Sequence, residues 1–238
     1  MKTTLYKASS RGHANHGWLD TYHTFSFANY YNPSRINFGA LRVINDDIVK
    51  GGKGFGTHPH DNMEIITIPL YGDLEHKDSM GNSSVIRHGE VQVMSAGTGV
   101  THSEFNANRD KDVNLFQIWV FPNREEADPR YGQKAFDFDG SKNKFVEIVS
   151  PDGENGSLWI HQDAWFSIGS FDKGEKTEYR LMDSENGVFA MVIEGDFNVS
   201  GTELNKRDGL GIEQTDAISL EALSDNSRIL LMEVPMQW

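Results

Sequence analysis

Apolar residues come in short runs along this chain, each closed off by glycine, asparagine or aspartate. Phe38 to Asn45, Ile65 to Leu70, Ser84 to Arg87, Val91 to Ser95 and Leu115 to Phe121 are enriched in β-branched and aromatic side chains and too short for buried helices, so they predict strands. Asn45-Asp46-Asp47, Tyr71-Gly72-Asp73 and Met80-Gly81-Asn82 supply turns between them. Helical periodicity is scarce, and its best candidate, Ser219 to Leu223, is barely more than a turn. Asn123 to Lys134, with its proline and charges, reads as a connector. The pattern predicts an all-β chain.

A second series follows the connector: Phe145 to Val149, Leu158 to Gln162, Trp165 to Ser170, Val188 to Ile193 and Ile229 to Val234. The two series echo each other. Pro69-Leu70-Tyr71-Gly72-Asp73 precedes Arg87-His88-Gly89-Glu90 much as Val192-Ile193-Glu194-Gly195-Asp196 precedes Lys206-Arg207-Asp208-Gly209. That recurrence predicts a duplicated β-barrel unit, with residues 1–133 and 134–238 as its two domains. Gly-Asp turns also recur in β proteins that are not duplicated, and 238 residues accommodate either one large domain or two barrels.

Composition narrows the partners more than the fold. A hydrophobic share of 37% with 11% aromatic residues supports packed cores, and the charges are dispersed. A net charge of -13 opposes attraction to phosphate backbones and anionic lipid, so no direct nucleic-acid or membrane partner is expected. With no cysteine, disulfides, thiolate metal sites, iron–sulfur clusters and thiol nucleophiles drop out together. Any metal must be held by nitrogen and oxygen. The opening MKTTLYKASSRGHANHGW is polar, and no run approaches the roughly 18 apolar residues of a membrane span, so a cytoplasmic protein is expected.

Candidate chemistry concentrates in two segments. In Thr57-His58-Pro59-His60-Asp61-Asn62-Met63-Glu64 the histidines are two apart, so on an extended chain both imidazoles leave one face and one ion can take both. The same parity carries Asn62, Glu64, Ile66 and Ile68 to that face, as a lined pocket with a metal at one end. In Gly97-Thr98-Gly99-Val100-Thr101-His102-Ser103-Glu104-Phe105-Asn106 the glycines permit a tight turn, and His102 and Glu104 again share parity. Three imidazoles and a carboxylate able to converge suit iron(II), manganese, cobalt, nickel, copper or zinc without choosing among them. Ligation needs neutral imidazoles, so metal affinity is expected to fall below about pH 6. Each piece also has an ordinary reading: a lone His-x-His is commonly a surface pair, and His102 with Glu104 can be a loop ion pair. His13, His16, His23, His76, His88 and His161 lack such pairing and read as surface or structural histidines.

The company these residues keep raises the metal reading. Gly52, His58, His60 and Glu64 stand at the spacing of the first cupin motif, and Gly99, His102 and Asn106 match the end of the second. The departures are Gly72 one place late, Gly97 for the usual proline, and Glu104 two after the histidine. Together with Gly17-Trp18-Leu19, Thr24-Phe25-Ser26-Phe27-Ala28-Asn29-Tyr30-Tyr31, Gly39-Ala40-Leu41-Arg42-Val43 and Gln117-Ile118-Trp119-Val120, these features resemble the pirin family. The resemblance covers most of the first half and the order of the second. It implies a bicupin, two tandem jelly-roll barrels, with one metal, iron(II) in most descriptions of the family, held in the first barrel by His58, His60, His102 and Glu104. Glu64, the usual cupin ligand, is then left behind the ligands or in reserve, and Asn106 is a second supporting candidate. Near Lys173 to Tyr179 and Asp216 to Ser219, where the second half would repeat the set, no histidine occurs, so that barrel is expected to hold no ion.

The resemblance also implies quercetin 2,3-dioxygenase chemistry. A polyhydroxylated aromatic substrate meets dioxygen at the metal, carbon monoxide leaves, and Glu104 is the candidate catalytic residue, accepting the flavonol hydroxyl proton. The alternative role is a redox-sensing metalloprotein without enzymatic activity that regulates a protein partner such as a transcription factor or metabolic enzyme. A metal isomerase or hydrolase on the same scaffold is a third class, because fold does not fix chemistry.

Overall fold

Strands make up nearly all the regular structure of the computed structural model, which describes residues 1–138 and 140–237. Among the described residues the only helical pieces are the short 3-10 turns Ala8–Ser10 and Glu154–Gly156. The strands form four sheets in two pairs, and the chain folds as two cupin-type barrels.

In the first pair, a seven-stranded sheet runs Arg130–Ala135, Glu90–Ser95, Glu64–Tyr71, Val113–Val120, Leu41–Val49, Leu19–His23, Gly12–Asn15. It packs on a four-stranded sheet ordered Gly54–His60, Val100–Asn106, Asp73–Asp78, Ser83–Arg87. The second pair repeats the plan, with Asn186–Glu194, Ser227–Pro235 and Trp165–Phe171 central in its large sheet, and Lys176–Arg180 and Ala217–Ala222 adjacent in its small one. The echoed turns hold equivalent places: Gly72 (φ 75°) and Gly195 (φ 71°) each link a central strand of the large sheet to the small sheet.

Burial explains the runs. Leu19, Val49 and Leu115 of the first large sheet meet Leu74 and Ile86 of its small sheet inside the barrel. The outer faces of the two large sheets meet each other, with Ile66, Phe116 and Ile118 against Phe166, Phe189 and Leu230. Central strands are therefore covered on both sides: Val188, Ala190 and Val192 point into the second barrel while Phe189, Met191 and Ile193 point into the joint. Such strands read as unbroken apolar runs.

Several expectations need correction. Ser219 to Leu223 is strand, part of Ala217–Ala222, where Ile218, Leu220 and Ala222 are buried in alternation, a period of two. The connector ends in the strand Arg130–Ala135, paired at the sheet edge with Glu90–Ser95, and its half-exposed polar residues hid it. Of Leu158 to Gln162 only Leu158–Trp159 is strand. Asn45-Asp46-Asp47 is no turn but the middle of Leu41–Val49. Its polar side chains are spent elsewhere: Asp46 pairs with Arg11 at 3.3 Å and Arg207 at 3.0 Å. The chain also crosses the division drawn between residues 133 and 134. Lys2–Tyr6 joins the second large sheet beside Gly209–Glu213, and the Ala40 N–H donates to the Pro235 carbonyl at 2.8 Å. No helix among the described residues is long and apolar enough to cross a membrane.

Candidate metal centre

The small sheet of the first barrel carries the candidate ligands on adjacent strands. His58 lies directly opposite His102, and His60 opposite Val100. A register shift between His102 and Glu104 sets Glu104 opposite Phe55, while on its other side Glu104 faces His76 and His102 faces Asp78. Two glycines make this approach sterically feasible. A Cβ on Gly54 would overlap the Glu104 carbonyl oxygen, and one on Gly97, at φ 47° in the turn leading to His102, would overlap the Ala127 carbonyl oxygen.

The three imidazoles form a tight triangle, with ring centroids 4.4 Å apart for His58 and His102, 4.9 Å for His58 and His60, and 4.8 Å for His60 and His102. One coordinating atom from each lies within 4.8 Å of the others. Glu104 enters a second group, with His102 and His76, to the same limit. His102 is common to both, so it joins the carboxylate to the histidine pair.

Protonation favours ligation. Burial, then the neighbouring imidazoles His58, His60 and His76, pulls His102 down to about 3. Burial and His58 bring His60 to about 4. Both rings are therefore neutral, with lone pairs available to an ion, well below pH 6. The His58 Nδ1–H donates to the Gly56 carbonyl at 2.8 Å, which leaves Nε2 with its lone pair free. Both Glu104 oxygens accept from Gln117 Nε2 at 3.0 Å, and burial raises the Glu104 pKa. Most telling, both nitrogens of His102 are buried without a hydrogen-bond partner. Buried polar atoms are rarely left so, and a first-row divalent ion satisfies one of them. The donor set fits a metal.

A cavity of about 230 Å³ opens beside these residues. Its rings are Phe27, Phe55 and Trp119, and its polar lining beyond the ligands is Asn45, Asp47 and Gln117. Asp47 Oδ1 and Trp119 Nε1 are buried and unpartnered. Burial, with Asp46 and Glu104 adding to it, raises Asp47 to about 7. The residues read as a turn thus contribute to the pocket, a role that only the pairing of Leu41–Val49 inside the sheet discloses. A larger cleft, about 640 Å³, lies in the second half beside Asp163, Asp183, Glu185 and Glu213. It brings carboxylates but no imidazole, so size does not locate the chemistry.

Other candidates fall elsewhere. The turn 61–63, with Asn62 at φ 42°, separates strands of different sheets and resets the alternation. Glu64 therefore shares a face with Ile66 and Ile68 toward the joint, away from the pocket. Its carboxylate accepts from Ser95 Oγ at 2.7 Å and pairs with His161 Nδ1 at 2.9 Å. Asn106 donates to the Val49 and Lys111 carbonyls and accepts from the Asn108 N–H, which braces a loop. His13 and His16 are exposed, as expected, and His88 bonds the Pro69 carbonyl. His23, His76 and His161 are buried. His76 belongs to the centre's surroundings, and its signal was the His76-Lys77-Asp78 spacing, again two apart. In the second barrel the equivalent strands carry Tyr179, Ile218 and Leu220 inward, with no imidazole.

Known proteins resemble this chain over nearly its whole length. Residues 5–120 match the family model described as Pirin, and residues 147–234 match that of the quercetinase C-terminal cupin domain. The chain is 47% identical over 231 residues to a quercetin 2,3-dioxygenase of Escherichia coli, covering 97% of this chain and 98% of that one. It is 40% identical over 221 residues to a pirin-like protein of Caulobacter vibrioides, covering 92% and 94%. The crystal structure of the Escherichia coli bacterial pirin YhhW in complex with nickel(II) superposes with a TM-score of 0.93 at 45% identity, covering 98% of this chain and 99% of that one.

Proposed function

Since the chain belongs to the pirin family, we propose that it is a metal-dependent dioxygenase of polyhydroxylated aromatic compounds, cleaving flavonols such as quercetin with dioxygen and releasing carbon monoxide. The observation that carries this reading is the buried, unpartnered His102 at the heart of three converging imidazoles, beside a pocket walled by aromatic rings.

His58, His60, His102 and Glu104 would hold the ion, iron(II) by preference. When bound it supplies Lewis-acid and redox chemistry toward an aromatic hydroxyl and dioxygen. The chain does the rest. Phe27, Phe55 and Trp119 give a planar substrate apolar faces to lie against. The unpartnered Asp47 Oδ1 and Trp119 Nε1 offer an acceptor and a donor to ring oxygens, which favours a substrate bearing several. Glu104, with its pKa raised by burial, accepts the flavonol hydroxyl proton on a carboxylate oxygen, while Gln117 holds that carboxylate in place. At about 230 Å³ the cavity is smaller than most ligand pockets, so part of a flavonol stands at the mouth.

The test is a flavonol assay in air on fully metallated protein, following absorbance loss and carbon monoxide together, beside His58→Ala and Glu104→Ala. Wild type turns over and neither variant does. Absence of turnover in the metallated wild type removes flavonols as substrates, and turnover by metal-free protein removes the mechanism.

A further inference from the structure

His76 stands beside the four ligands proposed above. It is fully buried, faces Glu104 across the strand pair, and its ring centroid lies 5.3 Å from that of His102. Its Nε2 is 3.0 Å from Asp78 Oδ2. Asp78 has the geometry of an acceptor throughout: its side chain is fully buried, and it takes the Met80 and Asn82 N–H groups and the Asn82 amide. The proton between Asp78 and His76 therefore sits on Nε2, and His76 Nδ1 is a bare lone pair. That atom is buried and has no partner.

His102 presents the complement. An ion takes one of its two buried nitrogens, and the neutral ring then carries its proton on the other. That N–H needs an acceptor. One nitrogen of His76 and one of His102 lie within 4.8 Å, and the proposed contact requires the rings to close to about 3 Å when His102 binds the ion. We propose that Asp78 and His76 form a positioning relay behind His102, in which the carboxylate fixes the tautomer of His76 and His76 Nδ1 accepts the His102 N–H. A carboxylate or carbonyl usually meets a metal-binding histidine directly, and here an imidazole is interposed. The inference rests on His102 being a ligand as proposed above.

Cobalt(II) affinity, measured by chelator competition, tests it. His76→Phe keeps a planar ring without the acceptor, His76→Gln restores a carbonyl oxygen, and Asp78→Asn keeps shape while removing the charge that fixes the tautomer. Urea unfolding of each metal-free variant establishes that it folds, and Asp78→Asn carries the test should His76→Phe not. The expected loss is about 10- to 100-fold in His76→Phe, less in Asp78→Asn, and under about 3-fold in His76→Gln. The exchangeable imidazole N–H of His102, hyperfine-shifted in NMR spectra of the cobalt protein, should persist in wild type and His76→Gln and vanish in His76→Phe. Wild-type affinity in both His76→Phe and Asp78→Asn overturns the relay. So does binding of two ions per chain with the second lost in His76→Phe, which would make His76 a ligand. His58→Ala distinguishes the two levels: if it too binds cobalt normally, the ligand set itself is wrong.

Discussion

The two barrels share a strand plan, but the buried carboxylate Glu233 of the second is fully satisfied while the buried imidazole His102 of the first is not. In the second, Glu233 is fully buried and every demand is met: it accepts from the Tyr179 hydroxyl at 2.8 Å, the Met182 and Asp183 N–H groups, and the Asn186 amide at 2.9 Å. Around it Ile218, Leu220 and Leu231 close the interior. In the first, His102, Asp47 and Trp119 keep buried polar atoms without partners. A network that satisfies itself serves stability, whereas unsatisfied buried atoms cost stability unless something else arrives to pair with them. Among the described residues the second barrel leaves one such atom, Glu147 Oε1, whereas the first gathers those of His102, Asp47 and Trp119 in and beside one cavity.

Glu233→Ala should break the second barrel most severely. It strands two buried donors, the Tyr179 hydroxyl and the Asn186 amide, and releases the part-buried Met182 and Asp183 N–H groups, for a loss of about 3 kcal/mol. Urea midpoints measure it, and the metal bound per folded chain should stay at the wild-type value. A loss below about 1 kcal/mol would show that the network is dispensable to the second barrel.

Asp47→Asn addresses the first barrel in metal-free protein. Its carboxyl is raised to about 7 by burial, against an ordinary 3.8 in the unfolded chain. Between these values the folded state holds a proton that the unfolded state has lost, so stability falls as pH rises from about 4 to 7. The penalty is complete above that. The asparagine variant escapes it, and relative to wild type should gain on the order of 2–4 kcal/mol between pH 4 and pH 8. Parallel stability curves for the two proteins would contradict the assignment.

His102→Leu gives the smallest effect on folding. It replaces two unpaired nitrogens with an apolar side chain of similar size, so the metal-free protein should change by about 1 kcal/mol or less, in either direction. A loss of several kcal/mol would mean that His102 is structural, as Glu233 is.

Much of this contrast was legible beforehand. Gly72-Asp73 and Gly195-Asp196 marked the duplication because a left-handed turn residue recurs where each central strand leaves for the small sheet. The spacing of His58 with His60, and of His102 with Glu104, exposed the ligand candidates because a strand puts alternate residues on one face. Parity failed across Asn62, whose left-handed backbone sends Glu64 to the joint instead of the pocket. Asp47 was hidden because three polar residues in a row resemble a turn, and only long-range pairing with Val113–Val120 makes them strand. His161 and Glu64 are 97 residues apart, so nothing local announced their contact.

The function proposed for this protein requires one ion bound in the first barrel. Metal content per chain after reconstitution with iron(II) under anaerobic conditions, in wild type and in the His58→Ala/His60→Ala double variant, tests this directly. The expected result is about one ion in wild type and none in the variant, with the fold intact in both. A full equivalent retained by the double variant would contradict it.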